Sequence, residues 1–204
     1  IASAVQGGGK SYKSLKDCLY QAYFATHRRG TLLFDTNNEY GGYEIDGTVH
    51  NIRPIAHNEI IKYGNNLNHE VRRIIPFHPN GMPMDKKETE ALIIRCLNEY
   101  RGGTLLIEDT NRIFGDSLPD ELASALVNLP HRNCDVVLHV QSIGRLVPKV
   151  RQNAKVIRYH YQLDEIEESA DKFKGGIEIF YIAEKLVWEQ YNAGNIRFYV
   201  YVWR

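Results

Sequence analysis

Short runs of apolar residues alternate along the chain with longer segments in which apolar residues recur every three or four positions. Short runs are typical of buried strands, and the three-to-four spacing is typical of helices with one buried face. This alternation predicts an α/β fold whose central sheet is mainly parallel. The predicted strands are Ile1–Val5, Thr31–Phe34, Ile74–His78, Thr104–Ile107, Asp135–Val140, Lys155–Tyr159 and Ile196–Trp203, and the predicted helices are Ser11–Ala25, Asp85–Tyr100, Pro119–Leu129 and Asp164–Phe173.

Two stretches carry a weaker pattern. Residues 40–80 contain several short apolar runs without a clear period, and Glu178–Glu189 is compatible with a helix or a strand. With 204 residues the chain fits one domain, in which residues 165–204 form C-terminal helix and strand elements. Because the chain lacks an initial Met and the first predicted strand is short, we expect the sequence to start inside that strand, with residues missing upstream.

A phosphate-binding loop follows the first predicted strand. Residues 4–11 read Ala-Val-Gln-Gly-Gly-Gly-Lys-Ser, which matches Gly-x-x-x-x-Gly-Lys-Ser/Thr except that Ala4 replaces the leading glycine. In such a loop the backbone N–H groups surround a polyphosphate, catalytic Lys10 reaches the β- and γ-phosphates, and the Ser11 hydroxyl holds Mg²⁺. The alternative is a glycine-rich turn that happens to precede Lys-Ser. The loop predicts ATP and Mg²⁺ as cofactors, with nucleotide contacts at Gln6, Gly7, Gly8, Gly9, Lys10, Ser11 and Tyr12.

Two carboxylates end the predicted strand Thr104–Ile107. An NTPase with this loop needs an acidic side chain at the end of a neighbouring strand to hold Mg²⁺, usually through water. By position Glu108 takes this metal role, and Asp109 polarises the attacking water. The usual order is Asp then Glu, and here it is inverted. The alternative is a strand followed by a helix-capping Asp109.

A polar residue also ends the predicted strand Asp135–Val140. Ligands of open parallel sheets lie at the carboxyl ends of the strands. Gln141 is therefore placed to hydrogen-bond the γ-phosphate or the attacking water. The alternative is a glutamine that merely leaves the core and begins a loop.

Composition narrows the class of protein further. The 25 basic and 25 acidic residues balance, which argues against a surface that is basic throughout, although a ring or channel can concentrate basic residues locally. Cys18, Cys96 and Cys134 are far apart, and an odd count without paired spacing predicts reduced, buried thiols. The sequence shows neither a zinc-ligand spacing nor an apolar run long enough to span a bilayer.

The order of these motifs resembles the FtsK/HerA superfamily of DNA-pumping ATPases and, within it, the compact genome-packaging ATPases of tailless double-stranded DNA viruses. In that family a basic residue precedes a strand that ends in Gln, and another strand ends in Asp before a turn that reaches Glu-Tyr. The missing leading glycine and the inverted carboxylates depart from the family pattern. The stretches that carry the resemblance are Ala4–Ser11, Leu33–Tyr40, Leu105–Asp109, His131–Ser142 and Val147–Ala154.

The resemblance implies an α/β P-loop NTPase (RecA/FtsK-like) three-layer sandwich. It also implies a homo-oligomeric ring, often a hexamer, that hydrolyses ATP between subunits and pulls DNA through its centre without reading sequence. The expected setting is the host-cell cytoplasm or the virion, with a capsid vertex as a further partner.

An arginine finger is also implied, just before the strand that ends in Gln. Arg132 matches that place, Arg145 and Arg151 are further candidates, and the alternative for each is a solvent-facing charge. The candidate residues for contact with DNA in the pore lie in the weakly patterned loops near Arg72-Arg73 and Lys86-Lys87.

Two other functions compete with an ATP-hydrolysing DNA translocase that packages a viral genome. One is an assembly ATPase resembling the filamentous-phage morphogenesis (zonula occludens toxin-like) proteins, which carry a membrane-spanning segment after the ATPase domain. The other is a small-molecule kinase or a nucleotide-binding regulatory module, since Arg145, Lys149 and Arg151 could imitate an arginine-rich lid. A substrate screen and the oligomeric state with ATP separate these functions.

Overall fold

The computed structural model describes residues 1–4, 7–65, 69–114, 124–126, 133–144, 146, 148–173 and 176–203. The strands in this part of the chain are β1 (Ala2–Ser3), β2 (Thr31–Phe34), β3 (Tyr43–Ile45), β4 (Thr48–His50), β5 (Val71–Ile74), β6 (Thr104–Ile107), β7 (Asp135–Val140), β8 (Val156–His160) and β9 (Tyr199–Trp203). The α-helices in this part of the chain include α1 (Lys10–Tyr23), α2 (Ile60–Asn65), α3 (Lys86–Glu99), α4 (Thr110–Phe114), α5 (Pro148–Gln152) and α6 (Ile177–Asn192). Short 3₁₀ helices cover His57–Glu59 and Glu167–Lys172.

Seven strands form a mainly parallel sheet in the order β5-β2-β6-β7-β1-β8-β9, and β3 pairs with β4 in a separate antiparallel hairpin. β2 runs parallel to β5 and β6, β1 runs parallel to β7 and β8, and β9 runs antiparallel to β8. Every residue of β2 and β6 is buried, as is usual for parallel strands covered by helices. This sheet with its flanking helices confirms the predicted α/β fold class.

The chain packs as two compact units. The first comprises residues 1–13, 109–118 and 138–204, and the second comprises residues 14–108 and 119–137. β1, β8, β9, α5 and α6 belong to the first unit, whereas β2 to β6, α2 and α3 belong to the second. A single domain over residues 1–204 remains a prediction.

α3 confirms the helix predicted at Asp85–Tyr100, and a capping box begins it. The Asp85 carboxylate accepts from the Glu88 N–H at 2.9 Å, and the Glu88 carboxylate accepts from the Asp85 N–H at 2.9 Å. Both bonds satisfy N–H groups that have no partner within the helix. The face that α3 buries consists of Thr89, Leu92, Ile93, Cys96 and Leu97.

β5 corrects the strand predicted at Ile74–His78, because the observed strand begins three residues earlier and ends at Ile74. Its second and third residues are Arg72 and Arg73, so the strand lacks the apolar run that is typical of buried strands. After Ile74, Phe77 forms only an isolated bridge, with Pro83.

The C-terminal part resolves one open alternative and corrects one prediction. Glu178–Glu189 lies within α6, whose buried face includes Phe180, Ala183 and Val187. The acidic helix predicted at Asp164–Phe173 is only a 3₁₀ helix over Glu167–Lys172. Its acidic side chains leave no continuous apolar stripe to hold a longer helix on the core. Of the helix predicted at Pro119–Leu129, residues 124–126 are helical, and the others lie outside the described residues.

All three cysteines are buried, as predicted. Burial raises the pKa of the Cys134 thiol to about 11 and raises the pKa of the Cys96 thiol further. Both thiols are therefore protonated at neutral pH.

Candidate functional site

A strand, a glycine-rich turn and a helix follow one another at the start of the first unit. β1 lies between β7 and β8, and the Ala4 N–H continues this pairing by donating to the Val140 carbonyl at 3.1 Å. Gly7 and Gly9 have φ angles of 80° and 82°, which residues with a side chain rarely adopt. α1 begins directly after Gly9, so the motif has the strand–loop–helix context it requires. The predicted nucleotide contact Gln6 lies outside the described residues.

The Lys10 side chain is buried against this loop, with 7% of the residue exposed. Its Nζ donates to the Ala4 carbonyl at 3.2 Å, a neutral acceptor. Burying an ammonium group is unfavourable unless a negative charge compensates it. The loop therefore suits an anion such as a phosphate group.

Ser11 and Tyr12 lie in the first turn of α1 and are partly exposed. The Lys13 N–H closes this turn by donating to the Gly9 carbonyl at 3.0 Å. The Tyr12 ring lies under the guanidinium of Arg197, whose Cζ is 4.8 Å from the ring centroid. Sequence reasoning missed Arg197, because no motif marks it and nearly the whole chain separates it from the loop.

Two buried basic side chains of β8 support the loop. The Arg158 guanidinium donates to the Lys10 carbonyl at 2.8 Å and to His160 Nε2 at 3.1 Å. Burial and the positive charge of Arg158 lower the pKa of His160 to about 3, so this imidazole is neutral and accepts the hydrogen bond. Sequence reasoning also missed this pair, although two basic residues spaced by two in a buried strand point to one face of the sheet.

Glu108 follows β6 in the second unit and is buried, with 7% of the residue exposed. Its Oε1 accepts a hydrogen bond from the Tyr40 hydroxyl, and its backbone carbonyl accepts one from the Thr36 hydroxyl at 3.2 Å. Tyr40 is buried as well, and its ring stacks on Tyr43 with the centroids 5.1 Å apart. Tyr40 therefore orients one carboxylate oxygen of Glu108, a role that no sequence motif indicated.

A buried ion pair fixes the turn that carries Tyr40. Asp35 follows β2, and its Oδ2 accepts from Arg73 Nη1 at 2.8 Å and from the Tyr40 N–H at 3.1 Å. Its Oδ1 accepts from the Glu39 N–H at 2.9 Å. The Asp35-to-Tyr40 stretch that carried part of the family resemblance thus has a structural role in this chain.

The candidate pore loop near Arg72-Arg73 is corrected, because both residues lie in β5 and the Arg73 guanidinium is buried and bound to Asp35. Arg72 pairs with Glu70 and is mostly covered. Lys86 and Lys87 are exposed at the start of α3, and they remain predicted DNA contacts.

The other predicted catalytic residues belong to the first unit or lie outside the described residues. Asp109 has a φ of 48°, and its carbonyl accepts from the Ile113 N–H at 3.3 Å, so its backbone forms the turn into α4. Gln141 follows β7 directly and is exposed. Arg132 and Arg145 lie outside the described residues. The roles of all four remain predictions.

Arg151 is unsuited to the roles considered for it. Only 2% of the residue is exposed, and its guanidinium lies 3.8 Å from the centroid of the Phe173 ring. An arginine that reaches a neighbouring subunit, or one in a lid over a substrate, must be at the surface. Because Arg151 is buried, the predictions that it is an arginine finger or a lid residue are wrong.

Within the described ranges, no group of three or more His, Cys, Asp or Glu side chains could hold a metal ion by itself. In the same ranges, no α-helix combines the length and the apolar character needed to cross a bilayer.

A family model described as zonular occludens toxin (Zot) matches residues 2–169. No curated protein matches the chain. Among solved structures, the chain is similar to the genome packaging NTPase B204 from Sulfolobus turreted icosahedral virus 2 in complex with AMPPCP, at 17% identity and a TM-score of 0.56, over 89% of this chain and 84% of that chain. The complex of B204 with ATP-gammaS matches at 16% identity and a TM-score of 0.54, over 99% of this chain and 89% of that chain.

A third match is the crystal structure of B204 described as the DNA-packaging ATPase from Sulfolobus turreted icosahedral virus. It is 16% identical, with a TM-score of 0.53, and covers 98% of this chain and 89% of that chain. At these identities the likeness is one of fold. It shows that the sheet, loop and helices described above form an α/β P-loop NTPase fold.

Proposed function

Because the chain belongs to the zonular occludens toxin (Zot) family, we propose that it is an ATPase that binds ATP at residues 6–12 and hydrolyses the β–γ phosphoanhydride bond. The observation that carries this proposal is Lys10, a buried ammonium on a neutral carbonyl in a loop with two left-handed glycines. A triphosphate would supply the charge that the Ala4 carbonyl lacks. The N-terminus of α1 adds a positive dipole on the same side of the loop.

The division of roles follows from the chemistry of the side chains. The Ser11 hydroxyl and the Glu108 carboxylate are hard oxygen ligands of the kind that Mg²⁺ takes together with phosphate oxygens. Bound Mg²⁺ would neutralise charge on the β- and γ-phosphates. Asp109 orients the attacking water, Gln141 contacts that water or the γ-phosphate, and Arg132 serves as the finger for a neighbouring subunit.

We propose that ATP hydrolysis drives sequence-independent transport of DNA for viral genome packaging. The motor would be a homo-oligomeric ring, such as a hexamer, at a capsid vertex. The place of action would be the host-cell cytoplasm or the virion. Support comes from the fold shared with B204, described as a genome packaging NTPase and a DNA-packaging ATPase, and from the FtsK/HerA-like motif order. A neutral chain can still bind DNA if the ring brings its exposed lysines together.

A second candidate is an assembly ATPase for filamentous-phage morphogenesis. The specific observation in its favour is the match of residues 2–169 to the Zot model. Both candidates use the same ATP site, so they differ in whether DNA stimulates turnover.

The first experiment measures ATP hydrolysis by the parent chain, Lys10→Ala and Glu108→Gln. Each change is expected to lower kcat about a hundredfold or more, since Lys10→Ala removes a positive charge from beside the phosphates and Glu108→Gln removes a charged ligand of the proposed Mg²⁺. Lys16→Ala is the matched control for Lys10, because Lys16 is exposed on the same helix and pairs with Asp46. Retained turnover in Lys10→Ala would contradict the ATP site.

The second experiment compares turnover with and without double-stranded DNA of unrelated sequences over a range of salt concentrations. A packaging motor is expected to be stimulated by all sequences, with less stimulation at high salt because phosphate contacts dominate. Turnover that ignores DNA, with an ATP-dependent oligomer, favours the assembly ATPase. A monomer that phosphorylates a small molecule would contradict both.

A further inference from the structure

The segment between α6 and β9 lies on the phosphate-binding loop of the same unit. α6 ends before Gly194, whose φ is 88°. The Asn195 N–H donates to the Gln190 carbonyl at 2.9 Å, and the Phe198 N–H donates to the Asn195 carbonyl at 3.1 Å. These backbone bonds form a turn that carries Arg197.

The stem of Arg197 packs on the third glycine of the loop. A β-carbon added at Gly9 would lie 3.1 Å from Arg197 Cγ and 3.3 Å from Arg197 Cβ. Glycine is therefore favoured at position 9 for two reasons: the backbone is left-handed there, and the Arg197 side chain leaves little room for a β-carbon. The C-terminal segment therefore packs directly against the phosphate-binding loop at Gly9.

The head of Arg197 lies over Tyr12, with 4.8 Å from Cζ to the ring centroid. A guanidinium has five N–H donors, so its contact with an aromatic ring leaves donors for a further partner. Arg197 is exposed, so a ligand beside the first turn of α1 can reach these donors. Planar N–H pairs of this kind match the oxygens of a phosphate group.

We propose that Arg197 is a nucleotide-binding residue whose guanidinium binds a phosphate of the nucleotide held by the loop. The Tyr12 ring holds the guanidinium in place, and the stem on Gly9 fixes its distance from the loop. This inference rests on the proposed ATP binding. The sequence indicated no role for residues 193–198. This inference makes them part of the nucleotide site.

The test measures equilibrium binding of ATP, inorganic tripolyphosphate and adenosine by the full chain. Arg197→Ala is expected to weaken ATP and tripolyphosphate alike, by about tenfold, since a charge-assisted phosphate contact is lost. Adenosine binding is expected to stay unchanged. Arg197→Gln keeps the stem on Gly9 and removes the charge, so it is expected to show the same loss, whereas Arg197→Lys recovers part of the affinity. Lys185→Ala, which removes an exposed cation from α6, is the matched control and is expected to bind as the parent does.

Equal ATP affinity in the parent and in folded Arg197→Ala or Arg197→Gln would overturn the inference. A loss seen for adenosine but not for tripolyphosphate would also overturn it, because Arg197 would then contact the base. If the parent binds neither ATP nor tripolyphosphate, the proposed function itself fails. Thermal unfolding without ligand checks that each variant is folded, and Arg197→Gln carries the test if Arg197→Ala does not fold.

Discussion

The Tyr40 hydroxyl donates to a carboxylate oxygen of Glu108, and both side chains are buried. If Glu108 is the metal ligand, this bond orients the carboxylate before the metal arrives. Tyr40→Phe removes the hydroxyl that makes this bond and keeps the ring that stacks on Tyr43. We expect kcat to fall roughly tenfold with KM nearly unchanged, because a hydrogen bond to a charged group contributes about 1.5 kcal/mol or more. Steady-state ATPase kinetics measure both constants.

Tyr23→Phe is the control for this change, because Tyr23 is an exposed tyrosine of α1 in the same unit. Its kinetics should equal those of the parent. A rise in KM with unchanged kcat for Tyr40→Phe would show that Tyr40 supports binding and does not orient a catalytic carboxylate.

Gly9 and Gly194 allow the backbone requirement to be separated from the packing requirement. Both have left-handed φ angles, but an added β-carbon meets Arg197 only at Gly9 and has open space at Gly194. Each substitution by Ala should cost about 1 kcal/mol for the backbone, and Gly9→Ala should cost about 1 kcal/mol more for the overlap. Urea unfolding measures these losses. The excess should shrink when Arg197 is also changed to Ala, and an excess that persists would contradict the packing explanation.

Residues of the site that follow one another in the chain could be predicted, and residues that meet by folding could not. Lys10 and Ser11 are marked by a local spacing that only a phosphate loop needs. Tyr40, Arg158 and Arg197 contact the candidate residues from distant parts of the chain, and each is of a type that is common at ordinary positions. A single sequence holds no signal for such pairings.

At the scale of one element, α3 shows how far local chemistry decides a helix. Asp85→Ala removes one acceptor of the capping box and should lower the free energy of unfolding by about 1 kcal/mol. The nucleotide affinity should not change, since neither capping residue belongs to the proposed nucleotide site. Urea unfolding and ATP binding measure the two effects.

Glu90→Ala is the control on the same helix. It removes an i,i+4 pair with Lys86, whose N···O distance is 3.9 Å, and such exposed pairs contribute only about 0.3 kcal/mol. If Asp85→Ala cost no more than Glu90→Ala, the capping box would not stabilise α3.

The elements that were predicted well are those whose own residues decide them. β2 and β6 are short apolar runs, and α3 has both a cap and an apolar stripe. The bounds of β5 were predicted wrongly because a charged Arg73 is not expected in a buried strand. Asp35 neutralises Arg73, and only the fold brings this partner to it. The helix predicted at Asp164–Phe173 is longer than the 3₁₀ helix observed at Glu167–Lys172. Its residues are mostly polar, and polar residues alone do not define how many helical turns pack on the core.

For the molecule as a whole, buried His160 makes stability depend on pH. The pKa of His160 is lowered from 6.5 to about 3 by burial first and by the charge of Arg158 second, with smaller effects of His139 and Lys10 in the same direction. Between these two values the unfolded chain binds a proton that the folded chain does not. Stability from this group is therefore complete above pH 6.5 and is lost as the pH falls toward 3, by at most about 1.4 kcal/mol per pH unit.

His160→Gln removes this linkage while leaving a side chain that can accept from Arg158. We expect the free energy of unfolding of His160→Gln to fall less steeply than that of the parent as the pH decreases from 6.5, whatever its value at neutral pH. Urea unfolding at a series of pH values measures the slope. His27→Gln, at an exposed histidine, should keep the slope of the parent. Parallel curves for the parent and His160→Gln would mean that His160 is protonated in the folded chain. Arg158 and His160 would then both be positively charged beneath the loop, and Arg158 could not donate to His160 as described.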